Sequence, residues 1–172
     1  MLTIDFEASC LPRHGRSYPI EVGLAGGGMV RSWLIRPHES WAGWDWTQEA
    51  EGLHGLTRAR IEQDGQPVET VLAALAAATQ GHSVVADSLI DQYWLDTMAT
   101  AAGMPSPFRI THVATVMDEQ RAGPDRVAAA VAFADAQGAL RHRAGGDALW
   151  LASVLAHVAG DSRALPLLMA AQ

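Results

Sequence analysis

Residues Leu2 to Glu7 alternate without a break: Leu2, Ile4 and Phe6 fall on one side, and Thr3, Asp5 and Glu7 on the other. A period of two marks a strand with one buried face, and here the opposite face carries two carboxylates. Ile20, Val22 and Leu24 repeat the alternation, and Val30 to Ile35 reads as a third strand. Gly26-Gly27-Gly28 separates the last two, which predicts a hairpin. After a segment from Pro37 to Gly65 that reads as a loop rich in Trp, Gly and acids, the pattern changes. Pro67 opens a predicted helix with an apolar stripe of Val68, Val71, Leu72 and Leu75. His82 to Ala86 reads as a short buried strand, Leu89 to Ala102 as a helix, and Phe108 to Val113 as a further strand. Pro124 to Gln137 and Asp147 to Val158 read as helices stopped by Gly138 and Gly160. A short final helix is expected over Ser162 to Ala170. Strands first, then helices interleaved with strands, describe an α/β domain with a mixed sheet. No internal repeat or linker interrupts it, so a single domain is expected over residues 1–172.

Composition narrows the function. At 172 residues, with 49% apolar and 18% charged side chains, the chain can bury a substantial core and does not resemble a disordered tail. The apolar runs Val127–Ala134 and Ala148–Ala156 fall short of the roughly 18 residues that a membrane span needs. Met1 leads directly into strand-like sequence with no room for a secretory leader, so a cytoplasmic protein is expected. Cys10 is the single cysteine, which excludes an intrachain disulfide and a Cys-rich zinc site; packing is its ordinary role. The formal net charge is −7 and every basic side chain is Arg. That balance disfavours a duplex binder that relies on its own surface charge. It leaves open an enzyme whose bound cations supply the positive potential.

The acids are the candidate chemistry. Residues i and i+2 of a strand share a face, so Asp5 and Glu7 stand side by side, and unrelieved such a pair repels and raises one pKa. A hard divalent cation between them removes the conflict, although a solvated polar face is the commoner use of such a pair. Ser88-Leu89-Ile90-Asp91 fits a capping box, in which Asp91 supports a helix N-terminus. In Arg141-His142-Arg143-Ala144-Gly145-Gly146-Asp147, the Gly pair forms a flexible approach, Asp147 is placed to cap the following helix, and His142 is placed at the surface.

Taken in order, these segments resemble the DEDDh family of 3′–5′ exonucleases, which includes ribonuclease T, oligoribonuclease and polymerase proofreading subunits. Asp5-Phe6-Glu7-Ala8-Ser9 is similar to the family's first motif. Ala86-Asp87-Ser88-Leu89-Ile90-Asp91 resembles the second, and His142 to Asp147, with Asp five residues after His, matches the third. Ile20-Glu21-Val22-Gly23 resembles the usual second strand, and Leu53-His54-Gly55-Leu56-Thr57 a segment common between the third strand and the first helix. The resemblance runs from Asp5 to about Val158. One departure stands out: the second motif often has His-Asn where this chain has Ala86-Asp87, which brings a further negative charge near the site.

The resemblance implies a ribonuclease-H-like fold, a mixed five-stranded sheet flanked by helices. It implies a metal-dependent 3′–5′ exonuclease that releases nucleoside 5′-monophosphates from single-stranded DNA or RNA with a free 3′ end. Two Mg²⁺ or Mn²⁺ ions are implied, one held by Asp5, Glu7 and Asp147 and the other between Asp5 and Asp91. His142 is the implied general base, a role suited to an imidazole, whose ordinary pKa is about 6.5. Phe6 and Ala8 are candidates for touching the terminal nucleotide, and Arg143, with Arg141, for holding phosphate. The acidic surface favours short oligonucleotides over long-strand tracking. A catalytically silent nucleic-acid-binding module on the same fold is the alternative, and a plain interaction domain is a third reading. Trp41, Trp44 and Trp46 are expected to anchor their loop rather than stack on bases. The apolar segment around Leu165, Leu167, Leu168 and Met169 offers a surface for a homodimer.

Overall fold

The computed structural model describes residues 1–160, so the expected final helix and the apolar segment from Leu165 to Met169 lie outside the described residues. Strand β1 (Leu2–Ala8) is central. It pairs antiparallel with β2 (Pro19–Gly26), which pairs antiparallel with β3 (Met29–Leu34). On its other side β1 runs parallel to β4 (Val84–Ala86), and β4 parallel to β5 (Ile110–His112). The order β3-β2-β1-β4-β5 makes a mixed five-stranded sheet. The predicted hairpin closes on Gly27 and Gly28, whose φ of 59° and 78° give the left-handed two-residue turn that suits strand twist.

Alternation along β1 and β2 sorts the two faces. Ile4 faces Leu24 and Phe6 faces Val22 across the ladder. These side chains join the main core with α3 (Val68–Thr79) and α4 (Ile90–Ala101), which contribute Val71, Leu72, Leu75, Trp94, Leu95 and Met98. The opposite face carries Thr3, Asp5 and Glu7 and is covered by α7 (Ala144–Ala159). Thr3 Oγ1 donates to the carbonyl of Ala148 at 2.6 Å, which pins the helix to the strand. Helix α6 (Pro124–Ala136) packs behind it, with Ala130 and Ala134 against Val154 and Val158.

Three short helices depart from the sequence reading. The segment expected as a loop from Pro37 to Gly65 holds α1 (Gln48–His54) and α2 (Arg58–Asp64). The side chain of Thr47 caps α1 by accepting from Ala50 N, and that of Thr57 caps α2 by accepting from Arg60 N. At seven residues each they are too short to display an apolar stripe. Helix α5 (Val113–Glu119) likewise begins where the last strand was expected to finish. The loop tryptophans do anchor: Trp41 is buried and stacks on Tyr18 with ring centroids 5.5 Å apart. Among the described residues no helix is long and apolar enough to cross a membrane.

Candidate metal centre

The candidate site lies at the carboxyl ends of the parallel pair β1 and β4, the usual place for a site in such a sheet. Asp5 and Glu7 project from β1 onto the α7 face. Across the ladder Asp5 stands opposite Gly23 and Glu7 opposite Glu21. Gly23 is required there: a Cβ at this position would lie 2.2 Å from the Ala144 carbonyl, so the missing side chain lets α7 start directly over β2. Helix α7 begins at Ala144, three residues before the position read as its cap, so Asp147 sits in the first turn rather than at the N-cap. Gly146 permits this start, because a Cβ there would meet the Leu140 carbonyl at 1.8 Å. Both glycines lie within α7, so the pair is not a flexible approach, and Gly146 is the one that close packing requires.

Two carboxylate clusters result. Oxygens of Asp5, Glu7 and Asp147 lie within 4.8 Å of one another, and so do oxygens of Asp5, Asp87 and Asp91. Asp5 belongs to both. Asp91 does not close a capping box: its Oδ1 accepts from the backbone N–H of Phe6 at 3.2 Å, while Ser88 Oγ accepts from Ile90 N. The side chain is drawn off the helix and fixed beside β1, only 2% exposed. Crowding and burial move these acids far from ordinary carboxyls. Burial first, then the charge of Asp91, Glu7, Asp147 and Asp87, pushes Asp5 up to about 10. Burial and Asp147 raise Glu7 to about 8, with Glu21 adding and Arg143 opposing. Burial and Asp87 raise Asp91 to about 8 against the hydrogen bond from Phe6. An all-oxygen donor set suits hard divalent cations such as Mg²⁺ or Mn²⁺, and a cation held in either cluster would remove the repulsion that otherwise favours protonation.

The third motif is partly engaged with itself. Asp147 Oδ1 accepts from Arg141 Nε at 2.5 Å and Oδ2 from the backbone N–H of His142 at 2.7 Å. His142 holds a left-handed conformation with φ of 61°, which costs about 1–3 kcal/mol outside glycine. Its imidazole is exposed, and it stands outside both carboxylate clusters. Arg141 lies over the ring of Trp150, 4.2 Å from its centroid. Arg143, read from sequence as a phosphate contact, has another partner: Nε and Nη2 donate to Glu21 at 2.9 and 2.7 Å. Glu21, 2% exposed, also accepts from Ala144 N and so ties the start of α7 to β2. Sequence reading missed this anchor, whose one signal was an acid on the same strand face as Gly23.

Beside Glu7 a cavity of about 130 Å³ opens, bordered by Phe6, Ala8, Leu53, His54 and Trp94. Phe6 and Ala8 are mostly buried, and both line it. His54 is 4% exposed at the end of α1; its Nδ1 accepts from Leu56 N at 3.0 Å, which leaves the proton on Nε2. Among the described residues that Nε2 has no hydrogen-bond partner. Burial lowers the pKa of His54, against the charge of Glu21 and Glu51. Gly55 follows with φ of 69° as the left-handed cap, and Thr57 starts α2, so the Leu53 to Thr57 motif is a helix-to-helix corner that presents His54.

No protein-family model matches the chain, and no curated protein is similar to it at a significant level. Solved structures do match. A full-length 3′-exonuclease superposes with a TM-score of 0.68 at 13% identity, over 99% of this chain and 91% of that one. A 3′-exonuclease described for 3′-end-specific recognition of a histone mRNA stem-loop gives 0.67 at 14% identity, over 94% of this chain and 81% of that one. E. coli Exonuclease I in complex with a dA16 oligonucleotide gives 0.67 at 12% identity over 94% of this chain, which spans 41% of that enzyme. The chain shares its fold, a mixed five-stranded sheet flanked by helices, with these exonuclease structures, and its two carboxylate clusters lie at the carboxyl end of the central strands.

Proposed function

We propose that the protein is a 3′–5′ exonuclease of the DEDDh type that acts on single-stranded DNA or RNA. The observation that carries this reading is the pair of carboxylate clusters sharing Asp5. A solvated acidic face does not draw carboxylates from separate strands and helices to within 4.8 Å of one another, nor leave one of them, Asp91, only 2% exposed. When bound, two divalent cations supply the charge that stabilises the attacking and leaving oxygens of an in-line phosphoryl displacement. Asp5, Glu7 and Asp147 are the donors for one, and Asp5 and Asp91 for the other. His142 accepts the proton of the attacking water; the water oxygen bonds to phosphorus, the bond to the 3′ oxygen breaks, and a nucleoside 5′-monophosphate leaves. The cavity beside Glu7 receives the terminal nucleoside, with Phe6 and Ala8 in its wall and the His54 Nε2–H as a donor without a protein partner. The absence of a basic groove expected from the net charge of −7 favours short strands.

Matched DNA and RNA oligonucleotides, labelled at either end and incubated with Mg²⁺ or Mn²⁺, test the reading. Stepwise shortening from the 3′ end with release of 5′-monophosphates is expected, and a 3′-phosphate should slow it strongly. Equal loss of blocked and unblocked strands, or dominant internal cuts, would overturn it. Cation-dependent binding without cleavage would identify the silent module instead.

A further inference from the structure

We propose that Asp87 is a direct ligand of the second cation, so that this chain holds it with three carboxylates, Asp5, Asp87 and Asp91. The inference rests on the two-cation reading above and deepens it. Strand register places the residue. Leu2 pairs with Val84 and Thr3 with Val85 across the parallel β1–β4 ladder. Carried two residues further, that register sets Asp87 beside Asp5. The faces agree as well: Thr3 bonds to α7 and Val85 packs with Leu151 and Leu155 of the same helix, so the next inward positions, Asp5 and Asp87, share the α7 side. The side chains bear this out, with oxygens of Asp5, Asp87 and Asp91 within 4.8 Å of one another.

Adjacent like charges on neighbouring strands repel, and neither carboxylate is relieved by a protein donor. Among the described residues no hydrogen bond or ion pair engages the side chain of Asp5 or Asp87, whereas that of Asp91 accepts from Phe6 N and that of Asp147 from Arg141 and His142. An exposed aspartate with no cation to bind would be free to turn into water; this one is set against the most buried acid pair of the site. The amide that often stands here in the family motif offers a neutral oxygen. A carboxylate adds a full charge to the donor set, and cation affinity rises with the number of charged ligands. The third carboxylate therefore raises the affinity of the free protein for the second cation, ahead of any nucleic acid.

Titration of the full chain with Mn²⁺ alone, followed by calorimetry and by the electron paramagnetic resonance of free Mn²⁺, tests this without any activity readout. Wild type should take up two ions. Hydrogen-bond partners one step removed from a metal are worth roughly 10–100-fold in affinity, so loss of a charged direct ligand in Asp87→Asn should weaken one site by at least about tenfold. The other site should be unchanged. Asp147→Asn should weaken that other site instead. Because Asp87 is exposed and its charge adds to the repulsion at Asp5 and Asp91, Asp87→Asn should melt no lower than wild type in EDTA. Two unaltered sites in Asp87→Asn, or equal weakening of both, would overturn the assignment while leaving the exonuclease reading intact. Uptake of fewer than two ions by wild type would overturn the two-cation reading itself.

Discussion

The Asp147 carboxylate is held by Arg141 and by the backbone N–H of His142, so the third motif is organised around one side chain. A division of labour follows. Asp147→Asn should lower both cation affinity and turnover. His142→Ala should leave cation affinity nearly intact and cut turnover by about 10²–10⁴-fold, the usual contribution of a positioned base. That loss should shrink as pH rises, because hydroxide replaces the missing base; rate–pH profiles paired with cation titration check it, and full activity at neutral pH would remove the role. Arg143 divides two readings in the same way. As the partner of Glu21, which is 2% exposed, its loss leaves a buried charge unpaired, so Arg143→Ala should cost on the order of 3 kcal/mol in urea melts. As a phosphate contact, its loss would instead weaken substrate affinity in a salt-dependent way with stability intact. The sequence made the acids of the site legible because strand periodicity and motif spacing are local. It did not make the partner of Arg143 legible, because Glu21 is 122 residues away and only the packed sheet brings the two together.

At the scale of elements, long periodic segments were readable and short ones were not. The strands β1 and β2 and the helices α3, α4 and α6 fall close to where periodicity places them. Helices α1, α2 and α5, of seven residues each, depend on caps and tertiary packing rather than on an apolar stripe. The start of α7 was misplaced for a related reason: Gly145 and Gly146 read locally as a flexible approach, yet both belong to the helix, with backbone meeting backbone at Gly146 and, from β2, at Gly23. That close approach makes Gly23 a sensitive position although it carries no chemistry. Gly23→Ala forces a Cβ against the Ala144 carbonyl and must displace α7, at about 1–3 kcal/mol or more for overpacking a rigid contact. Because Asp147 rides on the first turn of α7, the same substitution should weaken the cation site formed with Asp5 and Glu7 and spare the one at Asp91. Thermal melting combined with Mn²⁺ titration reads both effects, and an unshifted melting temperature would show that α7 is not seated as described.

For the whole molecule, the acids couple the stability of the fold to pH and to cations. Asp5, Glu7 and Asp91 have folded-state pKa values raised to about 10, about 8 and about 8, from unfolded values of 3.8, 4.5 and 3.8. A raised carboxyl binds its proton more tightly when folded, so its contribution is fully present below pH of about 4 and falls as pH rises. In the metal-free protein the loss begins near the unfolded values, continues through about 8, where Glu7 and Asp91 ionise, and ends near 10 with Asp5. Stability in EDTA should therefore decline steadily across the neutral range, opposite in direction to a protein whose carboxylates are paired with bases. Cations reverse the sign, since a ligand that binds only the folded, ionised site stabilises by mass action and competes with the protons. Saturating Mn²⁺ should raise the melting temperature little near pH 5 and progressively more towards pH 8, flattening the profile. Removing a single acid reports on the origin of the slope: Asp5→Asn should raise metal-free stability at pH 8 and abolish the Mn²⁺ response, because Asp5 belongs to both clusters. Melting curves from pH 5 to 9, with EDTA and with Mn²⁺, decide the matter. A metal-free protein that grows more stable on the way to pH 8 would show that these carboxyls are already ionised in the folded chain, and the buried, cation-seeking site would have to be given up.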